Sequence, residues 1–309
     1  MLVSFILVNY NTKDITYKAI KSIINKLNKE DYEIILVDNA STDGSKEFFE
    51  KLNSPNFKYI YNTKNLGFGK ANNIGFKYSK GKYIYILNND TLLNTKNITK
   101  IIENKFNKFP EVGILATKVL YPDGTLQPNV QSFSNLWTVT LRLLKVGQLV
   151  RNNKFALNLF RWFPIKPNFI KVYLENFDKE KKEGLIDWAS GCSLIFRREV
   201  YEELGGFDEN FFMYTEDEEI CYRAKLKGYK ILYTPDIVIT HFEGKSSENS
   251  EINEFVIREK VKSEFYYFKK HFPEKLPVLK NIYFTISTLG YPFSKRLRIV
   301  HKTIRRLNV

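Results

Sequence analysis

The sequence predicts an α/β protein with an open sheet, and three observations carry that prediction. Short apolar, β-compatible runs recur at Leu2–Val8, Tyr32–Val37, Phe57–Tyr61 and Tyr83–Leu87, the composition of strands buried on both faces. Stretches with helical spacing separate them, as in strand–helix units wound around one sheet. Each run then ends in polar side chains: Asn9-Tyr10-Asn11-Thr12, Asp38-Asn39, Asn62-Thr63 and Asn88-Asn89-Asp90-Thr91. Ligands of open α/β sheets bind beyond the carboxyl ends of strands. One polar strand end is an ordinary turn; four on one edge build a site.

The elements follow in order. After the first strand, Asp14 suits the first turn of a helix striped by Ile15, Ala19, Ile20, Ile23, Ile24 and Leu27. After the second, Thr42 and Asp43 are N-cap residues for a helix through Leu52. The third leads through Asn65-Leu66-Gly67-Phe68-Gly69-Lys70 into a helix carrying Ala71-Asn72-Asn73-Ile74-Gly75. Beyond the fourth strand come a helix over 98–109, a strand over 112–120 and a strong turn at Pro122-Asp123-Gly124. A strand is expected over 185–196, with a small-residue corner at Ala189-Ser190-Gly191-Cys192, then a short helix closed by Gly205-Gly206. Thr215 is expected to cap a helix whose first turn is Glu216-Asp217-Glu218-Glu219. Strands over 229–233 and 237–240 follow, with His241 at the end of the second, and then a long mixed-charge helix over 252–272 and a basic tail.

A chain of 309 residues, 43% hydrophobic, holds material for one large domain or a domain with an appendage. Cys192 and Cys221 lack metal-ligand spacing and read as reduced, buried thiols of a cytoplasmic protein. Leu2–Val8 runs straight into Asn9 without a basic n-region, so no secretory signal is expected. No apolar run reaches the length of a membrane span; the nearest, 282–293, is broken by Gly290 and Pro292.

The net charge of +14 is localised. Between Gly124 and Tyr173 there is no acid and there are seven cations, and the tail from Lys295 adds six more without an acid. These two segments account for thirteen of the fourteen excess charges, which argues against a nucleic-acid-binding protein, as does the lack of a nucleic-acid motif. A nicotinamide enzyme would carry Gly-x-Gly-x-x-Gly after the first strand, and Asn9-Tyr10-Asn11-Thr12 is not that.

Several stretches together resemble family-2 glycosyltransferases of the GT-A fold, within the rhamnosyltransferase-like group. They are Val8-Asn9-Tyr10-Asn11, the run from Val37 to Ser45, Asn65 to Gly75, Leu87-Asn88-Asn89-Asp90-Thr91, Gly191-Cys192, Gly205-Gly206-Phe207-Asp208, Tyr214-Thr215-Glu216-Asp217 and His241, in the family's order over roughly the first 245 residues. The resemblance implies a Rossmann-like nucleotide-binding half fused to an acceptor-binding half around one mixed sheet. The boundaries are 1–245 for this domain (1–95 for the nucleotide-sugar half, 124–173 for a basic aromatic insertion, 185–245 for the acceptor half) and 246–309 for a helical basic extension.

The resemblance also implies an inverting transfer from a nucleotide-diphosphate-sugar donor to a glycan or lipid-linked saccharide in cell-surface polysaccharide synthesis, with a divalent cation, Mg2+ or Mn2+. Carried over by position, Tyr10 with Asn9 and Asn11 resembles the nucleobase platform, and Asp38 the residue reading base or ribose. Asn65, Gly67, Lys70, Asn72, Asn88 and Asn89 fall among the donor-contacting positions. Asp90 matches the metal-binding aspartate of the family's Asp-x-Asp motif, whose first Asp is here Asn88, and His241 matches the late histidine of the metal site. Asp217 stands at the catalytic base, Glu216 beside it as an orienting carboxylate, and Trp188 and Gly191 at the acceptor floor.

Elementary chemistry asks for the same parts. The acceptor hydroxyl must lose its proton as it attacks, a task for a positioned carboxylate. The departing diphosphate needs its charge neutralised, a task for a Lewis acid. In the insertion, Trp137, Leu141 and Leu144 share a helical face flanked by Arg142 and Lys145, and the tail interleaves Leu297, Ile299, Val300, Ile304 and Leu307 with its cations. Both read as contacts for an anionic inner membrane leaflet. The insertion's apolar residues would otherwise pack on the core or on another copy of the chain, which leaves a homo-oligomer open.

Overall fold

The computed structural model describes residues 1–52, 54–145, 182–242 and 250–307, with side chains of the last segment described from 254. The chain divides into two compact units, Met1–Gln131 with Lys179–Ser246, and Ser132–Asp178 with Ser247–Val309.

The first unit is built on a nine-stranded mixed sheet. Strands β1 (Val3–Asn9), β2 (Tyr32–Asp38), β3 (Phe57–Tyr61) and β4 (Tyr83–Leu87) are the four apolar runs of the sequence, parallel and in the order β3-β2-β1-β4. Helices α1 (Lys13–Ile24), α2 (Ser45–Phe49) and α3 (Phe68–Lys77) connect them. All of β2 and β4 is buried, as near-continuous hydrophobic strands of a covered parallel sheet should be. The α1 stripe buries Ala19, Ile20 and Ile23 against Phe5, Leu7 and Ile34 in one core cluster.

The second half of the sheet reverses direction. β10 (Ser193–Arg197) lies antiparallel to β4 and to β6 (Val112–Leu120), and β11 (Lys230–His241) lies parallel to β6. Because β10 is antiparallel, its first residue pairs with the last of β4, Ser193 with Leu87. The corner before β10 is thereby delivered to the edge where the parallel strands end. The strand expected over 185–196 is three pieces: β8 (Gly184–Ile186) pairs with β11, β9 (Trp188–Ala189) with β7 (Val130–Gln131), and β10 joins the main sheet. Gly191 and the small residues around it allow the chain to change partners twice.

The two strands expected over 229–240 are one, β11, with register irregularities after Lys230 and Thr234. They shape the site. The end of β11 pairs with β5 (Thr91–Leu93), His241 opposite Thr91. Yet Thr91 is only four residues past β4, a reach of at most about 14 Å, whereas β5 stands four places from β4 in the sheet order, about 19 Å in a flat sheet. The sheet must curl, and β11 has a register irregularity between Thr234 and Val238, the kind of feature at which a strand bends. Helix α4 (Ile98–Lys108) packs Ile98, Ile102 and Phe106 into the main core, and α6 (Arg198–Glu203) and α7 (Glu216–Leu226) complete the unit.

Two capping expectations fail. α2 covers only Ser45–Phe49 and starts from Gly44 rather than from Thr42 or Asp43; Asp43 instead accepts from the Lys13 and Ser45 amides at 2.8 and 3.1 Å, tying α1 to α2. Thr215 precedes α7 in the left-handed region, φ 69, with no side-chain cap bond.

The described part of the second unit is helical: α5 (Leu136–Leu143), α8 (Ser250–His271), α9 (Leu276–Leu289) and α10 (Lys295–Arg306), with a 3-10 turn over Pro273–Lys275. Its interior holds a polar knot. The Tyr283 hydroxyl donates to Glu264, Arg142 lies 3.9 Å from the same carboxylate, and Arg296 donates to the Leu143 carbonyl at 3.1 Å. The basic tail is α10 itself, and Ile299, Val300 and Ile304 are buried. Those three, expected as membrane contacts, are core residues. α5 likewise turns Val139 and Leu143 inward and leaves Trp137 69% exposed. The rest of the expected 124–173 insertion, from 146 on, lies outside the described residues.

Candidate active site

The site grows from the carboxyl edge of β1, β2 and β4. Asn9, the last residue of β1, is fully buried, and its amide nitrogen donates to Asp38 Oδ2 at 2.6 Å and to Ser45 Oγ at 2.9 Å. Thr12 and Thr16 each donate to Asn9 Oδ1 at 2.9 Å, and Asn89 donates to the two threonine hydroxyls at 2.6 and 2.7 Å. Asp38 Oδ1 accepts from the Ser41 amide at 2.7 Å. Three strand ends are thus laced by one network of buried and half-buried polar groups.

Consequently Asn9 and Asp38, expected to contact the donor, have no free surface here. They set the shape of the loops. Asn72 is also buried, its amide spent on the Phe68 carbonyl one turn back at 2.9 Å, and Asn89 is committed to the threonines. Tyr10, 50% exposed, stands outside the network. Asn11 takes φ 54, with its amide donating to Ser41 Oγ and its Oδ1 accepting from the Thr42 amide. Lys70 is paired with Glu209 at 2.9 Å on the surface.

The loop after β3 is pinned by glycine. Gly67, at φ 82 and ψ 178, occupies a region essentially reserved for glycine. A Cβ there would stand 2.2 Å from the Phe212 carbonyl oxygen, the atom that accepts from the Phe68 amide at 3.0 Å. Asn65 Oδ1 accepts from the Gly67 amide at 3.0 Å. The donor-side loop is therefore closed onto the segment that leads into α7.

That segment carries the acidic pair. Tyr214 and Thr215 both have positive φ, a conformation that costs such residues on the order of 1–3 kcal/mol and gathers at functional sites. Asp217 then accepts from two amides, Gly191 N to Oδ2 at 2.8 Å and Glu218 N to Oδ1 at 2.9 Å. Asn88 N donates to the Cys192 carbonyl at 3.0 Å, so the end of β4 and the acid are joined through two adjacent residues of one corner. Glu216 is buried and its Oε2 has no hydrogen-bond partner. Burial, and then the charge of Asp217, push the Glu216 carboxyl well above its ordinary 4.5. Glu219 accepts from the single Arg223 Nε on both carboxylate oxygens, at 2.8 and 2.9 Å, and Arg223 Nη2 donates to the Gly206 carbonyl at 2.8 Å. It anchors α7 under the Gly205-Gly206 turn.

Asp90 and His241 are brought together by β5 and β11. Asp90 Oδ1 lies 3.2 Å from His241 Nε2, while His241 Nδ1 lies 3.2 Å from Gln127 Oε1. The imidazole is thus held between Gln127 on Nδ1 and Asp90 on Nε2. The Asp90–His241 pair fits a hard or borderline divalent cation as a two-ligand start, the remainder coming from diphosphate oxygens and water. No group of three or more His, Cys, Asp or Glu suited to a metal occurs among the described residues. Gln127 carries no motif, and its partner is 114 residues away, so nothing local marks it. Trp188, expected at the acceptor floor, is buried in β9. A Cβ on Gly191 would sit 3.2 Å from Asp217 Cβ and 3.4 Å from the Phe68 ring, so the corner presents backbone beside Asp217.

Residues 4–205 match the profile described as Glycosyl transferase family 2. The N-acetylglucosaminyl-diphospho-decaprenol L-rhamnosyltransferase of Mycobacterium tuberculosis is 25% identical over 225 residues, 69% of this chain and 67% of that protein. The rhamnosyltransferase WbbL of Escherichia coli is 26% identical over 287 residues, 87% of this chain and 93% of its own length. Among solved structures, the mannosyltransferase PcManGT from Pyrobaculum calidifontis, in complex with GDP-Man and Mn2+, superposes with a TM-score of 0.55 at 17% identity, covering 97% of this chain and 73% of that one. That likeness shows the GT-A fold. A profile match over well more than half its length, on that fold, makes this chain a member of glycosyl transferase family 2 and a glycosyltransferase.

Proposed function

We infer that the enzyme transfers a sugar from a nucleotide-diphosphate-sugar donor to a hydroxyl of a glycan or lipid-linked saccharide, with inversion, in the synthesis of a cell-surface polysaccharide at the inner face of a membrane. The observation that carries the reading is the doubly held carboxylate of Asp217, fixed by the Gly191 and Glu218 amides beside the end of β4. The relatives' names make an L-rhamnosyl donor the first to test and a lipid-linked saccharide the first acceptor.

Asp217 accepts the proton of the acceptor hydroxyl as its oxygen bonds to the anomeric carbon and the bond to the diphosphate oxygen breaks. Such a base contributes on the order of 10²–10⁴-fold. A single displacement from the face opposite the leaving group gives inversion. Glu216, held toward its neutral form by burial and by Asp217, favours the negative charge on Asp217, where a proton acceptor is needed. Asp90 and His241 would hold a divalent cation with the diphosphate, and Gln127 would fix the histidine tautomer. Mg2+ or Mn2+, when bound, supplies neutralisation of the leaving diphosphate. Tyr10, exposed past β1, offers a face for the nucleobase.

Hydrolysis and transfer measured over a panel of nucleotide sugars with Mn2+, against the Asp217→Asn variant, test the reading. Loss of transfer with donor binding retained supports it. Transfer unaffected by the substitution would refute the assignment of the base.

A further inference from the structure

The second unit carries an apolar surface that is exposed among its described residues. α9 buries Leu279, Tyr283 and Ser287. Its exposed positions are Pro277, Val278, Asn281, Phe284, Thr285, Thr288 and Leu289, none of them charged. A helix facing water ordinarily puts charged residues there. The apolar character then intensifies at the turn into α10, where Leu289 is 71% exposed, Tyr291 and Pro292 are exposed, and Phe293 is 88% exposed. Single exposed apolar residues are commonplace; a run of them on one helix face and its adjoining turn is a contact surface.

The turn is a built object rather than a loose end. Leu297 packs closely on Gly290: a Cβ there would stand 2.1 Å from Leu297 Cδ1, so the side chain would have to turn away. The amides of Phe293 and Ser294 donate to the Gly290 carbonyl at 3.1 and 3.0 Å. Ser294 caps α10 through the Leu297 amide, and Arg298 donates to the carbonyls of Tyr291 and Pro292 at 3.3 and 3.4 Å. With its backbone satisfied, the turn can enter a less polar medium at low cost.

Charge decides what covers it. From Lys275 to Val309 the sequence holds eight Lys and Arg and no Asp or Glu. Arg296 is turned inward, while Lys295, Lys302, Arg305 and Arg306 are exposed on α10, whose apolar residues Ile299, Val300 and Ile304 are buried. A second copy of the chain would bring the same positive charge to the contact, which disfavours association. A nucleic acid would satisfy the cations and leave Leu289 and Phe293 in water. An anionic bilayer satisfies both, apolar side chains below the headgroups and cations among them, at about 1 kcal/mol per Lys or Arg. No helix among the described residues is long and apolar enough to cross a membrane, so the surface would lie on the bilayer.

We propose that the α9–α10 turn, with Phe284, Leu289, Tyr291 and Phe293 and the cations of α10, is the surface by which the protein docks on an anionic lipid bilayer. This deepens the membrane-face placement proposed above and rests on it. Deleting α10 would strip the unit of buried Ile299, Val300 and Ile304, so exposed point substitutions are the informative variants.

The test is co-sedimentation of the full chain with phosphatidylglycerol-containing vesicles and with pure phosphatidylcholine vesicles, at low and high salt, alongside transfer to a water-soluble acceptor. The wild type should bind the anionic vesicles at low salt, weaken as salt rises, and bind neutral vesicles at least tenfold less. Leu289→Ser with Phe293→Ser should lower binding to anionic vesicles about tenfold, with melting temperature and transfer to the soluble acceptor unchanged. No binding to anionic vesicles, binding indifferent to the double substitution, or self-association in light scattering that the double substitution abolishes would each overturn the proposal. If vesicle binding fails while soluble transfer persists, the docking surface falls alone; if transfer fails while vesicle binding persists, the assigned reaction falls alone.

Discussion

The amide of Gly191 donates to Asp217 Oδ2 at 2.8 Å, so the backbone of one strand corner aims the carboxylate of a helix that begins 25 residues later. Together with the Glu218 amide on Oδ1, it fixes the carboxylate through two backbone donors, one on each oxygen. Asp217→Asn keeps the shape and removes the basicity. Transfer should fall by at least ~10²-fold, with donor affinity by calorimetry within about twofold of wild type. Turnover near that of wild type would exclude Asp217 as the base.

Glu216 gives a pH signature in stability. Its carboxyl is raised above 4.5 in the folded protein by burial and by Asp217, so between the unfolded and folded values the native state binds more protons than the unfolded one. Stability contributed by the neutral form is therefore present below the unfolded pKa and lost as pH rises through the folded one. Glu216→Gln should melt higher than wild type at pH 8, with the gap narrowing toward pH 4. A gap of equal size at both pH values would show that Glu216 is not held neutral by its surroundings.

The Asp90–His241 pair predicts a graded loss. Asp90→Ala should weaken Mn2+-dependent donor binding most, His241→Ala less, and Gln127→Ala least, because removing Gln127 frees the imidazole orientation without deleting a ligand. Titration of Mn2+ in the presence of nucleoside diphosphate measures this directly. Identical donor affinity in excess chelator and in Mn2+ would contradict the assignment of both residues.

Gly67 should resist any side chain. Gly67→Ala places a Cβ against the Phe212 carbonyl in a backbone region reserved for glycine. The backbone term alone costs about 1–3 kcal/mol, at roughly 2–4 °C of melting temperature per kcal/mol for a protein of this size. Calorimetric scanning that found the variant as stable as wild type would mean the loop can move away from Phe212.

The Glu219–Arg223 pair should show the cost of removing a buried charge's cation. Arg223→Ala takes the guanidinium away from the fully buried Glu219 and a donor from the Gly206 carbonyl, a loss of about 3–5 kcal/mol. Replacing both residues by Leu and Met should recover much of it in chemical denaturation, since the penalty lies in the buried carboxylate that has lost its counter-charge.

The sequence by itself determined the parallel half of the sheet and the edge on which the site stands, because alternating apolar runs and polar strand ends are local properties read within each segment. It also placed Asp217, Asp90 and His241, through motifs that stand in the family's order. Only the tertiary structure decided what those residues do to one another. Whether Asn9, Asp38 and Asn89 face a ligand or one another depends on three strands closing side by side, and the closure buries Asn9 and Asp38 and ties Asn89 into their network. The fate of the 185–196 segment, the single bent β11 and the pairing of His241 with Gln127 depend on partners far along the chain. The basic tail makes the same point: α10 is amphipathic in sequence, but whether its apolar stripe meets lipid or protein is settled by α8 and α9 offering a better-packed partner. Periodicity shows that a face must be covered, and only three-dimensional packing decides by what.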